Sequence, residues 1–157
     1  YTNEYRDNLK TVEIKVWQEK LKTIPNKMRF ADISLKDNIP WVMDISLSAA
    51  NADLDLSELL LTSLKLNVKA GSTEIILGEK KGTKDIYIEG AAANIKIYVP
   101  EECGIVVIKK GNAMGLNNKI GLEEKEGKLV SQGFNDAESI YNLHLDLDFG
   151  NVTITNK

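Results

Sequence analysis

Four stretches of the chain share one pattern: an alternating apolar–polar run, a break of small residues, then a second alternating run. They are ISLSAANADLDLSEL from Ile45, LKLNVKAGSTEIILG from Leu64, IYIEGAAANIKIYVP from Ile86 and LHLDLDFGNVTITN from Leu143. Period-two alternation marks a strand with one dry and one wet face. Leu143, Leu145 and Leu147 share one face, and His144, Asp146 and Asp148 share the other. Leu54 and Leu56 oppose Asp53 and Asp55 in the same way, and Ile95, Ile97 and Val99 oppose Lys96 and Tyr98. The breaks are Ala49-Ala50, Ala70-Gly71, Gly90-Ala91-Ala92 and Phe149-Gly150, and they predict tight bends. Gly71 and Gly150 can take positive φ there without steric cost. The first three starts recur at about twenty residues, the spacing of solenoid-like arrays. One unit cannot bury its apolar face, whereas stacked units share a continuous core. Leu54, Leu56, Leu64, Leu66, Ile86, Ile88, Ile95, Ile97, Leu145 and Leu147 are the inward set this register predicts.

Elsewhere the pattern is weaker. Val12, Ile14 and Val16 alternate with polar neighbours, which predicts a strand over 11–18. A helix is the rival reading, because Tyr5, Leu9, Val12 and Val16 also fit helical spacing and Pro25 would end it. The first ten residues are polar and read as an arm. IVVIKK, from Ile105, reads as a plain strand. The glycine-rich run that follows reads as short strands and turns, with a hairpin around Glu126-Gly127. The expectation is an all-β, stacked-strand fold in a single domain over 1–157. Residues 1–40 would be the N-terminal arm and first strands, and 41–157 the repeated units.

Composition narrows the function. The chain has 157 residues and a net charge of −3. That lacks the basic field of a nucleic-acid binder. No apolar run approaches the roughly 20 residues that span a bilayer. The first residue is Tyr1, which is expected of a processed or engineered fragment from which any signal peptide or membrane anchor would be missing. Cys103 is the sole cysteine and His144 the sole histidine. A lone thiol makes no internal disulfide or multi-cysteine zinc site, and nothing in the sequence brings Cys103 to His144.

Few residues offer chemistry. The row His144, Asp146, Asp148 contains good divalent-metal ligand types, but alternation with leucine produces it as an ordinary wet face. Alternate strand residues lie roughly 7 Å apart, too far for adjacent ligands on one strand. Asp53 and Asp55 have the separation of an inverting glycosidase pair, without an aromatic sugar platform beside them. Lys80, Lys81, Lys84, Lys109 and Lys110 form basic spots that read as solvated turns. Trp17, Trp41, Tyr87 and Tyr98 read as packing residues. GNAMG lacks the ending of a phosphate loop, and no nucleophile elbow occurs. No catalytic, metal or cofactor-binding residue is assigned and no cofactor is expected.

The text around Trp41 resembles the toast-rack families. These are the bacterial toast_rack_N domains of unknown function and the C-terminal domains of LiaF-like cell-wall-antibiotic-response proteins. The resemblance is carried by Trp41, Ala49-Ala50, Leu54-Asp55-Leu56-Ser57, the strand from Leu64, Ala70-Gly71 and the downstream IKIYVPEECGIVV. It spans residues 38–110 and, more weakly, LHLDLDFGNVTI. It implies strands stacked like slices in a rack and a domain facing the outside of a bacterial membrane, tethered by a lipid or a transmembrane segment. It reads Asp55 as a turn or ladder position and carries over no catalytic residue. The expected function is therefore non-enzymatic: an extracytoplasmic envelope domain that binds a protein or envelope polymer, in envelope-stress response among other roles. Edge strands would also permit a homo-oligomer. The alternatives are an ion- or carbohydrate-binding module using the His144, Asp146 and Asp148 face, and a structural spacer.

Overall fold

The computed structural model describes residues 2–6, 9–13, 33–110 and 114–157. Contacts divide the chain into two units, Tyr1–Leu35 and Lys36–Lys157. In the first, β1 (Thr2–Arg6) and β2 (Leu9–Glu13) pair antiparallel as a separate two-stranded sheet. The expected polar arm is thus a strand pair, because neighbouring segments satisfy each other's backbone groups even where side chains are polar. Of the strand expected over 11–18, residues 11–13 lie in β2. Residues 14–18, with Trp17 and Pro25, lie outside the described residues.

The second unit is one nine-stranded sheet. Its strands are β3 (Pro40–Leu47), β4 (Ala52–Asp55), β5 (Leu60–Ile76), β6 (Gly82–Val99), β7 (Gly104–Lys110), β8 (Met114–Asn118), β9 (Glu123–Lys125), β10 (Lys128–Val130) and β11 (Ser139–Asn156). The expected all-β stack is what is found. Each coil is two strand legs: β3 with β4, β5 alone, β6 alone, β7 with β8, and β11 alone; in β3–β4, β5, β6 and β11 a small-residue bend joins the legs. Successive coils pair in parallel. Gly71 and Gly150 hold φ of 132° and 124°. A Cβ at Gly150 would lie 1.9 Å from the Ala93 carbonyl oxygen, and one at Gly71 would lie 2.0 Å from that of Ala50. At these two positions only glycine fits, and Ala93 holds the corresponding place in the coil between them.

The parallel register puts like on like. Met43, Leu64, Ile86, Leu143 and Val107 form one row across five coils. Ala52, Thr73, Ile95, Val152 and Leu116 form another on the second leg. The first repeat start shifts: Met43, not Ile45, stacks on Leu64, and Ile45 stacks on Leu66. All but one of the residues predicted to point inward are buried. Leu54, the exception, is half-exposed because its coil ends the stack.

The coils do not stack in chain order. β3, β5 and β6 climb in sequence, but β11 lies between β6 and β7. The chain skips a place after β6, builds the far end with β7 and β8, and returns to fill the gap last. Between these steps β9 and β10 form the expected hairpin, which pairs through β10 with β7. Its turn has positive φ at both Glu126 (52°) and Gly127 (75°), as a type I′ hairpin turn requires.

Two outcomes test this register. Leu66→Ala or Leu145→Ala should cost about 2–5 kcal/mol, and Lys65→Ala about 0.5 kcal/mol or less, read from denaturation midpoints. Thr73 has a buried hydroxyl with no partner among the described residues. Thr73→Val should therefore raise stability by about 1 kcal/mol, since the isosteric apolar side chain removes an unpaired polar atom.

Candidate functional site

The two ends of the stack are built differently. At the far end two inner rows stop on polar residues, while the rows through Leu143 and Val152 stop on Val107, which the hairpin's Leu129 pairs with, and on half-exposed Leu116. The row of Ile45, Leu66, Ile88 and Leu145 ends at exposed Lys109. The row of Leu54, Ile75, Ile97 and Ile154 ends at Asn118. The Asn118 side chain accepts from the Ile120 and Leu122 amides and donates to the Leu122 carbonyl, folding a loop that buries Leu122. The hairpin continues the sheet beyond β7. At the near end the inner rows stop on Met43, Ile45, Leu47 and Leu54, all half-exposed, whereas Leu64, Leu66 and Val68 one coil inward are 0% exposed. Among the described residues β3 and β4 pair only with β5, so their outer edges carry unused backbone donors and acceptors. Val42, on the wet face of β3, is 70% exposed. Trp41 is fixed by its indole Nε1–H, which donates to the Lys36 carbonyl at 2.7 Å.

The wet faces carry the residues singled out in the sequence. His144 stacks on Tyr87 with centroids 4.4 Å apart. Its Nε2 lies 4.0 Å from Asp85 Oδ1, which also accepts from Asn142 at 2.9 Å. Asp146 sits beside Glu89 and Lys110 in the ladder. Asp148 is exposed near the bend. Among the described residues, no three ligand-type side chains come together to hold an ion. Asp55 accepts from the Ser57 amide at 3.0 Å and from its hydroxyl at 2.6 Å. These bonds hold its carboxyl below the usual value, and they form the turn that the resemblance implies. Asp53 is exposed in β4. Cross-strand charges pair loosely, Lys65 with Glu89 at 3.9 Å and Lys96 with Glu74 at 4.0 Å. Such exposed pairs contribute little stability. Lys96 also lies 4.5 Å over the Tyr98 ring.

Of the lysines read as solvated, Lys80 pairs with Glu58 and Lys81 with Glu138, but Lys84 is only 2% exposed. This corrects the sequence reading. Alternation from Ile86 and Ile88 places Lys84 on the inner face, and the corner supplies what its ammonium needs. Nζ donates to the Lys80 carbonyl, to the Gly82 carbonyl at 3.0 Å and to Ser139 Oγ at 2.7 Å. It also sits 4.9 Å over the Tyr141 ring. Tyr141 donates to the Gly78 carbonyl at 2.8 Å, and the buried Cys103 thiol faces the same oxygen at 3.8 Å. Burial pushes the Lys84 ammonium down and the Cys103 thiol and Tyr141 phenol up. With all three of its donors engaged, Lys84 ties one corner together and is not free to act as a base. The inward alternation of Lys84 was the signal in the sequence that could have identified it.

The family model for the N-terminal domain of toast_rack matches residues 2–98. A comparison with curated proteins finds no match. Among solved structures, the chain is similar to a Clostridium sporogenes protein described as a "putative cell adhesion protein", with a TM-score of 0.72 and 19% identity. The similarity covers 78% of this chain and 58% of that one, so the chain spans little more than half of that protein's length. At this identity the likeness is one of fold.

The corner makes stability sensitive to alkali. Cys103 and Tyr141 ionise less readily when folded than at their ordinary values of 9.0 and 10.0. Their contribution is full below those values and is lost as pH rises above them. Lys84 acts in the opposite sense as pH approaches its ordinary 10.5. The comparison that isolates the phenol is Tyr141→Phe. This variant should cost about 1 kcal/mol near neutrality and show a flatter loss of stability above pH 10 than the unaltered chain, measured by urea midpoints across pH.

Proposed function

We propose that this chain, which belongs to the family of the N-terminal domain of toast_rack, is a non-catalytic interaction module of a bacterial cell-envelope protein. It would work outside the cytoplasmic membrane, held by an anchor elsewhere in the protein. The observation that carries the proposal is the inequality of the two ends. A solenoid left to itself needs polar caps at both ends. Here Lys109, Asn118 and the hairpin finish one end, while half-exposed Met43, Ile45, Leu47 and Leu54 line the other. An apolar rim beside an open strand edge suits a partner that adds a strand and seats alternate side chains against the rim. The fold likeness to a protein described as adhesive supports the same class of task. Participation in an envelope-stress response would run through this end.

The test uses isolated bacterial cell-wall sacculi and detergent-solubilised envelope proteins as probes. The unaltered chain should be retained by one of them. Met43→Lys with Ile45→Lys should abolish retention, and Lys65→Ala with Lys96→Ala should leave it intact. Retention lost with the wet-face pair but kept with the end pair would refute the assignment.

A further inference from the structure

The final segment of the sheet has an unusual place. β11 is the last strand of the chain, yet it fills an interior position, bonded to β6 on one side and to β7 and β8 on the other. Its match to β6 runs end to end, from Ser139 on Gly82 to Asn156 on Val99. Leu143, Leu145, Leu147, Val152 and Ile154 are each 0% exposed. In the three coils before it, Leu64, Leu66, Ile75, Ile86, Ile88 and Ile97 are likewise 0% exposed, and Leu64, Leu66 and Ile75 lie on β5, which does not pair with β11. The family match also ends at residue 98, one residue short of the end of β6. Three stacked repeats are about the minimum that stands alone.

We infer that β11 is a self-complementing strand: coils β3–β6 form a body that folds without it, and the β6 edge accepts β11 either from the same chain or from a second copy. The connection that would let β11 exchange is short and solvent-facing: residues 131–138 hold the turn Phe134–Asp136 and a Gly133 with φ of 71°. The catch is the polar corner described above. Lys84 with Ser139, Tyr141 with the Gly78 carbonyl, and the Gly82 amide with the Glu138 carbonyl (2.9 Å) all pin the start of β11 to the body. The second copy is the occupant that fits, because its β11 carries the same leucines in the same register and the same Ser139 and Tyr141. Exchange of this kind links identical chains without any new contact surface.

The probe is a labelled peptide spanning residues 139–157. Full-length chain carrying Leu145→Asp and Leu147→Asp should keep a β-sheet circular dichroism signal and bind the peptide saturably. The same peptide carrying both substitutions should not bind. A variant without β-structure, or a folded variant that ignores the peptide, overturns the inference. Hydrogen exchange on the unaltered chain gives an independent reading. Amides of β7, β8 and β11 should open together, about tenfold or more faster than those of β5, through a sub-global event. Ser139→Ala should speed that event and leave β5 unchanged. Exchange of β11 only together with β5, in one global step, also overturns the inference.

Discussion

The fold depends on the in-register stacking of like residues along parallel strands. Because Leu64 lies on Ile86 and Ile86 on Leu143, each coil buries the apolar surface that its neighbour exposes. Burial of this kind is worth about 1.5–3 kcal/mol for each large aliphatic side chain. The same register imposes the other features. Strands spaced about 4.8 Å apart leave no room for bulk where the chain turns. The Ala50 and Ala93 carbonyls therefore face Gly71 and Gly150. At the same corner the Asn51 side chain accepts from the Ser72 amide of the next coil, and the Asn151 side chain fills the space over Gly115. Where a residue breaks the apolar rule, as Thr73 does with its unpaired hydroxyl, stacking leaves no space to correct it.

A stack built this way has two kinds of surface. Its broad faces are ladders of polar side chains, with Lys65 beside Glu89 and Lys96 beside Glu74, solvated and screened. His144 belongs to such a ladder: its ring lies against Tyr87 and its Nε2 is 4.0 Å from Asp85 Oδ1. The ends are where the repeat must be terminated. At the far end Lys109, Asn118 and the hairpin beside Val107 finish it, while at the near end Met43, Ile45 and Leu47 are half-exposed.

The buried corner around Lys84 shows how the stack accommodates a departure from chain order. A strand that arrives last and inserts into the interior must be positioned at its start, or it can slip by one residue and reverse its faces. Ser139, Tyr141 and the Glu138 carbonyl each bind a group from the preceding coils at that start. The resulting contacts are far apart in sequence, and such closure slows folding.

Much of this was legible from the order of residues alone. Period-two alternation identified the strands and nearly all of the inward set, because the face of a strand residue depends only on its parity. Gly71, Gly150 and Glu126-Gly127 identified their bends and turn through local backbone sterics. What local pattern could not carry was which coil neighbours which. The placement of β11 between β6 and β7, the alignment of Met43 with Leu64, and the half-exposure of Leu54 all depend on contacts between distant segments. Lys84 belongs with them: a buried ammonium is acceptable only where carbonyls and a hydroxyl from other parts of the chain converge on it. The sequence determined that there would be coils with a dry and a wet side, because alternation is written into neighbouring residues. Only the tertiary structure decided their order, their capped and open ends, and the corner that holds the last strand, because each of these requires groups that are remote in the chain to meet.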